Sequence, residues 1–176
     1  MRETYRCIAR VEKTHGRRGE VVTVPVHGLP SLVREGLRVA VVPPELSGPR
    51  WRTVSALSHD DRAGDLVAIS GCDTLTAAEG LVGRYLLACT RDLPADLALH
   101  DAGRLVGRLV ANENGEVLGT IVEVMSGPAN DVWVVSGERG ELLLPVVDVV
   151  VSAVPDSGPI PVRVPVGLTW EGAGRR

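Results

Sequence analysis

Apolar residues recur along this chain in short runs, mostly with a period of two, broken by clusters of Gly, Pro, Asn, Asp and Ser. That pattern predicts strands rather than amphipathic helices. In the first half the runs fall at Cys7–Val11, Val22–Val26, Arg38–Val42, Arg50–Leu57, Leu66–Ile69 and Tyr85–Cys89. The second run places its apolar face at the even positions Val22, Val24 and Val26, and Pro25 puts its end at a sheet edge. Pro43 and Pro44 stop the third run. The polar stretch Ser58–Asp65 joins the fourth to the fifth, with Asp60-Asp61 as a solvated tip. Thr74–Leu81 is the best helix candidate. Thr74 or Thr76 can cap it, Glu79 stands three after Thr76 as in a capping box, and Gly83 lies just past its end.

The pattern restarts after Asp92–Ala102, a stretch with a proline and two small acidic clusters. Runs at Leu105–Val110 and Val117–Val124 flank Asn112–Gly115, where Asn-Gly predicts a type I′ hairpin. Ser126–Asp131 turns the chain into Val132–Val135, and Gly137–Gly140 turns it into Glu141–Leu144. For Val146–Val154 the valines favour a strand and the position after Pro145 favours a helical turn, so both stay open. Ile160–Val164 is the last strand. The expected fold class is all-β: two small β-barrels, over 1–93 and 103–168, with a linker at 94–102, a tail at 169–176 and at most two short helices.

Composition supports this. Valine occurs 29 times, there is no Phe, and there are only 2 Tyr and 3 Trp. Valine is stiff at χ1 and packs well on pleated surfaces, and an aliphatic core suits a small barrel. The longest apolar stretch, Leu142–Val151, is broken by Pro145 and Asp148, so no membrane span is expected. The charged N-terminus lacks an apolar signal core, and a cytoplasmic protein is expected. Cys7, Cys72 and Cys89 form no C-x-x-C pair and read as buried thiols. No metal and no cofactor are expected.

Charge is unevenly spread. Residues 1–93 hold 13 basic and 11 acidic side chains, whereas 94–176 hold 6 and 11, a net of −5. A basic start and an acidic second half bear on partners rather than on fold. His15, Arg17 and Arg18 stand at a glycine-rich turn. Guanidinium groups and free backbone N–H donors there suit phosphate oxygens; a solvated turn fits the same residues. Arg84, in Gly83-Arg84-Tyr85, can reach a phosphate or the second domain, or pair with Glu79 or Asp92. Pro128-Ala129-Asn130-Asp131 is a tight turn that is either structural or a contact site. If Val132 and Val134 face inward with Leu142 and Leu144, Trp133 faces out as a binding anchor; in the opposite register it is core. His15, His27, His59 and His100 lie in separate segments, and no P-loop, G-x-S-x-G or H-E-x-x-H motif occurs.

Four segments, IARVEKTHGRRGEVVTV, AAEGLVGRYLLACTRDLP, GEVLGTIVEVMSGPANDVWVV and ELLLPVVDVVVSAV, occur in this order and spacing. Together they make the chain resemble the RimM family of ribosome maturation factors, from Cys7 to Leu168. The resemblance implies a translation-factor-like barrel followed by a PRC-barrel. It implies a non-enzymatic, monomeric assembly factor for the head of the small (30S) ribosomal subunit. Its partners would be 16S rRNA within immature subunits, near His15, Arg17, Arg18 and Arg84, and head protein nineteen, near Asn130, Asp131 and Trp133. The family usually carries adjacent tyrosines at the start of the PRC-barrel, before an Asp-Leu-Ile-Gly segment. Here Arg104-Leu105-Val106-Gly107 stands for that segment and His100-Asp101 for the tyrosines, so their role does not transfer. The competing reading is a flavin- or nucleotide-binding barrel enzyme, because barrels of the first type also occur in flavin reductases.

Overall fold

The computed structural model describes residues 3–44, 48–60, 64–127 and 129–172. Asp61 and Pro128, and the end of the tail at 173–176, lie outside the described residues. The chain divides into two compact units, Met1–Pro94 and Ala95–Arg176.

The first unit is a closed antiparallel barrel. Its strands are β1 (Tyr5–His15), β2 (Glu20–Pro25), β3 (Arg38–Val42), β4 (Trp51–Asp60), β5 (Gly64–Ile69) and β6 (Tyr85–Cys89), in the order β1-β2-β5-β4-β3-β6. The interior is aliphatic: Ile8, Val11, Val21, Val39, Val54, Val67, Ile69 and Leu86 are almost fully buried. Two bulges in β1, at Cys7/Ala9 and Val11/Lys13, shift its register, and such bulges add the local twist that helps a sheet curl shut. In β2 the even-face expectation fails. Val21 pairs with the interior Val67, and Thr23 with Asp65, so the odd positions face inward. Val22 is buried as well, so β2 is covered on both sides and alternation could not assign its face. Helix α1 (Leu75–Glu79) is shorter than expected, and its cap is Thr74, whose side chain accepts from the Ala77 N–H at 3.2 Å.

The second unit holds β7 (Leu109–Ala111), β8 (Val117–Met125), β9 (Val132–Gly137), β10 (Gly140–Pro145) and β11 (Ile160–Pro161) in one sheet, ordered β10-β9-β8-β7-β11. Its core gathers Leu105, Val110, Ile121, Trp133, Val135, Leu142, Leu144, Val151 and Ile160. Two short helices, α2 (Leu97–His100) and α3 (Ala102–Leu105), precede the sheet. With α1 they make three α-helices among the described residues, besides a 3₁₀ turn at Thr90–Asp92, where at most two short helices were expected. Residues 94–102 are therefore not a bare linker. Leu99 joins the second core and Asp101 is 1% exposed. The two leucines there, Leu97 and Leu99, stand in a proline-containing polar stretch too short to show a period.

Local turns also differ from expectation. Gly115 has φ of 82° while Asn114 stays out of the left-handed region, so the turn is not type I′. The Asn112 side-chain oxygen instead accepts from the N–H groups of Asn114 and Glu116, both at 3.0 Å, which stabilises a different turn. At Val146–Val151 the helical turn wins: the Val150 and Val151 N–H groups both reach the Val147 carbonyl, at 2.8 and 2.9 Å. The start of the tail is docked. Glu141 and Glu171 exchange backbone hydrogen bonds of 2.8 and 2.7 Å, and Trp170 packs against the core.

Candidate functional sites

In the first unit, β1 ends at His15, pairs it with Glu20, and turns through Gly16–Gly19. His15, Arg17 and Arg18 are exposed and Gly19 is buried. The Cys72 thiol donates to the Gly19 carbonyl at 3.3 Å. Two guanidinium groups therefore stand on a turn whose base is pinned to the barrel. Arg84 is placed apart from them, where its backbone carbonyl accepts from the Val11 N–H at 2.8 Å. Its guanidinium donates to the Pro43 carbonyl at 2.9 Å, an acceptor that a search for carboxylate partners could not foresee.

In the second unit, helix α2 delivers His100 to the turn before β9. His100 Nδ1 lies 2.7 Å from the Asp131 carboxylate, and Nε2 lies 3.6 Å from that of Asp96. The Asp131 carbonyl accepts from the Val146 N–H at 2.8 Å, which holds the turn against the segment after β10. These residues line a cleft of about 440 Å³ with Asn130, Asp148 and the apolar Leu99, Val146 and Val147. Nothing in the sequence joined His100 to Asn130-Asp131; the fold makes them neighbours. Asp96 and Asp148 were missed as lining residues because their only signal was the general acidity of this half.

Trp133 is not an exposed anchor. It is 0% exposed, and its indole N–H donates to the Leu99 carbonyl at 3.1 Å inside the core. Trp133 faces Leu144, and Val135 faces Leu142, so these four point inward and Val132 and Val134 occupy the other face. The leucines were assigned correctly and the β9 register was reversed. Because Val134 is also only 6% exposed, β9 is covered on both faces and its alternation carries little information.

A further cluster joins residues from three segments. Ser31 Oγ donates to one carboxylate oxygen of Asp65, and His59 Nδ1 lies 2.5 Å from the other. Asp65 itself is buried. A serine–histidine nucleophile needs the imidazole between hydroxyl and carboxylate. Here the carboxylate is central, so the imidazole is not placed to take the Ser31 proton. The cluster ties the segment before β3 to β4 and β5. Among the described residues no group of His, Cys, Asp and Glu is gathered as a metal site, and no helix is long and apolar enough to cross a membrane. Burial pushes the Cys7 thiol up from its ordinary value, which keeps it protonated.

On the outside of the first barrel, the Tyr5 hydroxyl donates to Glu3 at 2.5 Å and Arg91 lies 2.8 Å from the same carboxylate. The hydrogen bond from Tyr5, and then the Arg91 charge, hold the Glu3 carboxyl below its ordinary 4.5. The same bond pushes the Tyr5 phenol up. A depressed folded value means that this contribution to stability is complete above the unfolded value and is lost as pH falls through the folded one. A carboxyl-carbon NMR titration should therefore find Glu3 titrating below 4.5. Tyr5→Phe should move the midpoint back up; a midpoint unmoved by that change would remove the hydrogen bond as the cause.

Comparison with known proteins matches the second unit to the RimM PRC barrel domain over residues 103–168. The chain is 34% identical over 167 residues to the ribosome maturation factor RimM of Heliobacterium modesticaldum, covering 92% of this chain and 96% of that protein. It is 30% identical over 151 residues to the ribosome maturation factor RimM of a Thermoanaerobacter species, covering 85% of this chain and 89% of that one. The solution structure of the N-terminal domain of RimM from Thermus thermophilus is 26% identical, with a TM-score of 0.41 over 53% of this chain and 96% of that one. With a third of its residues shared along nearly the whole of a curated relative, and with its second unit matched by the family's own barrel domain, this chain belongs to the RimM family.

Proposed function

We propose that the chain is a cytoplasmic, non-enzymatic maturation factor for the small ribosomal subunit, acting as a monomer. In this reading the second unit holds basic head protein nineteen at the cleft of Asp96, Asn130, Asp131 and Asp148. The first unit turns Arg17 and Arg18 toward 16S rRNA in immature subunits. The factor holds protein and rRNA in a productive arrangement and then leaves. The observation that carries the reading is the cleft itself, where three carboxylates from α2's start, the turn before β9 and the segment after β10 converge beside His100. It stands where the family's tyrosines are replaced by His100-Asp101. Complementary charge raises the association rate and the selectivity for a basic partner.

The test is calorimetry of the full chain with the head protein. Asp131→Asn combined with Asp148→Asn should weaken binding about tenfold, in the range expected for close interfacial charge pairs. Arg17→Ala combined with Arg18→Ala should leave it unchanged. Binding by the parent chain should also weaken with salt, because exposed charges are screened over about 8 Å at physiological ionic strength. Equal losses from the acidic and the basic pairs would defeat this division of labour.

A further inference from the structure

We propose that the outer face of β4, β3, β6 and β1 in the first barrel is a stacking surface for single-stranded RNA; this rests on the maturation-factor reading and extends it to a second RNA contact, separate from the Arg17-Arg18 turn. The barrel core uses no aromatic residue, yet the unit has three, Tyr5, Trp51 and Tyr85, and all three lie outside on these four strands. The register sets them on one face. Trp51 stands opposite Ala40, Ala40 opposite Leu87, and Leu87 opposite Cys7. Tyr85 stands between Val42 and Arg10 at one end, and Tyr5 stands opposite Cys89 at the other. The two tyrosine positions are four residues apart along β6, about 13 Å at 3.3 Å per residue. Between them lie small, buried Ala40 and half-buried Cys7 and Leu87.

Two of the rings are exposed, and the third, half-buried Trp51, carries a cation. Tyr5 is 41% and Tyr85 39% exposed. The Tyr5 and Trp51 rings lie 5.2 Å apart at an angle of 41°, and the Arg38 guanidinium sits 4.5 Å over Trp51. Arg10, Arg38 and Arg91 are exposed at this face. Arg91 is paired with two carboxylates, Glu3 at 2.8 Å and Asp92 at 3.9 Å, and Glu3 also accepts from Tyr5, which leaves Arg10 and Arg38 as the cations of the face. A barrel face with exposed rings and the guanidinium groups of Arg10 and Arg38 suits unstacked bases and a phosphate chain. Base–aromatic stacking tolerates any sequence, and the arginines add cation–π and phosphate contacts. A polypeptide partner is the less favoured occupant, because the exposed groups of the face are aromatic rings and guanidinium groups, which match stacked bases and phosphates.

The experiment titrates the full chain with an unstructured, labelled RNA of about twelve nucleotides, within the site size of barrel-type single-strand binders. It reads anisotropy and the quenching of tryptophan fluorescence. Tyr5→Ala and Tyr85→Ala, each confirmed by thermal melting to be folded, should weaken binding about tenfold. Tyr5→Phe keeps the ring and should retain most of the affinity that Tyr5→Ala loses. Trp51→Ala should lose the quenching. Unchanged RNA affinity in the folded alanine variants overturns the proposal. So does a loss confined to Arg17→Ala and Arg18→Ala, or a loss of head-protein affinity with RNA binding intact. Co-sedimentation of the parent chain with immature small subunits tests the maturation reading separately. The oligonucleotide titration decides the face whichever way that sedimentation falls.

Discussion

Trp133→Ala should lose about 3–5 kcal/mol of folding stability, the usual range for deleting a buried aromatic side chain. Trp133 heads the fully buried side chains by volume, and it sits opposite Leu144 with Val124 on its other side. Its truncation opens a void among aliphatic neighbours that cannot close over it. It also leaves the Leu99 carbonyl, now bonded to the indole at 3.1 Å, without that donor, at a cost of about 1 kcal/mol or more. A small domain carries only about 5–15 kcal/mol in total, so this loss removes much of it. The second unit should unfold first in urea, giving a transition well below that of the first barrel. Trp133→Phe keeps most of the volume and should cost less, mainly the lost hydrogen bond. Because Leu99 adjoins His100, loosening this contact should also disorder the His100–Asp131 pair and weaken head-protein binding. A parent-like melt for Trp133→Ala would refute the packing.

Gly19→Ala should be nearly as damaging, by a different route. Gly19 has φ of 84°, and a Cβ added there would lie 1.8 Å from the Cys72 carbonyl oxygen and 2.5 Å from its carbon. Both are backbone atoms, so no side chain can swing aside. The left-handed conformation costs an alanine about 1–2 kcal/mol, and forced overpacking adds about 1–3 kcal/mol. Gly16 in the same turn is the control. It too has positive φ, but its nearest contact is the Glu20 carboxylate at 3.5 Å, so Gly16→Ala should cost only the conformational part. Parallel urea titrations of the two variants measure the difference. Equal, small losses would show that the turn is not held against Cys72. The displaced turn in Gly19→Ala should also weaken the RNA contact proposed for Arg17 and Arg18.

Much of the architecture was legible in local pattern. Arg38–Val42 and Tyr85–Cys89 were read with the bounds they have, because each is a short apolar run with clear breakers at its ends. Misreadings cluster where a segment is covered on both sides. In β2 and β9 three consecutive residues are buried, so a period of two no longer says which face is inside. The 94–102 segment was misread for a related reason. Leu99 stands in a polar stretch too short to show a period, and its carbonyl meets Trp133, 34 positions away.

The site shows the same division. The exposed Arg17-Arg18 turn was visible because glycine spacing and charge are local properties. The cleft was visible only in part, since Asn130 and Asp131 belong to a recognisable turn while Asp96, His100 and Asp148 reach it from other elements. The aromatic face of the first barrel left no mark, because Tyr5, Trp51 and Tyr85 sit in three strands that become neighbours only when the barrel closes.

By itself, then, the amino-acid order determined the strand-rich class, most strand positions, the aliphatic character of the first core and the charge asymmetry. These follow from side-chain shape, backbone restriction and composition, which act within a few residues. Tertiary structure alone decided which faces of β2 and β9 point inward, that Trp133 is core rather than surface, and which polar groups meet His100. Those outcomes depend on contacts between segments distant in the chain, where burial on both faces erases the local period and pairing register sets each side chain's neighbours.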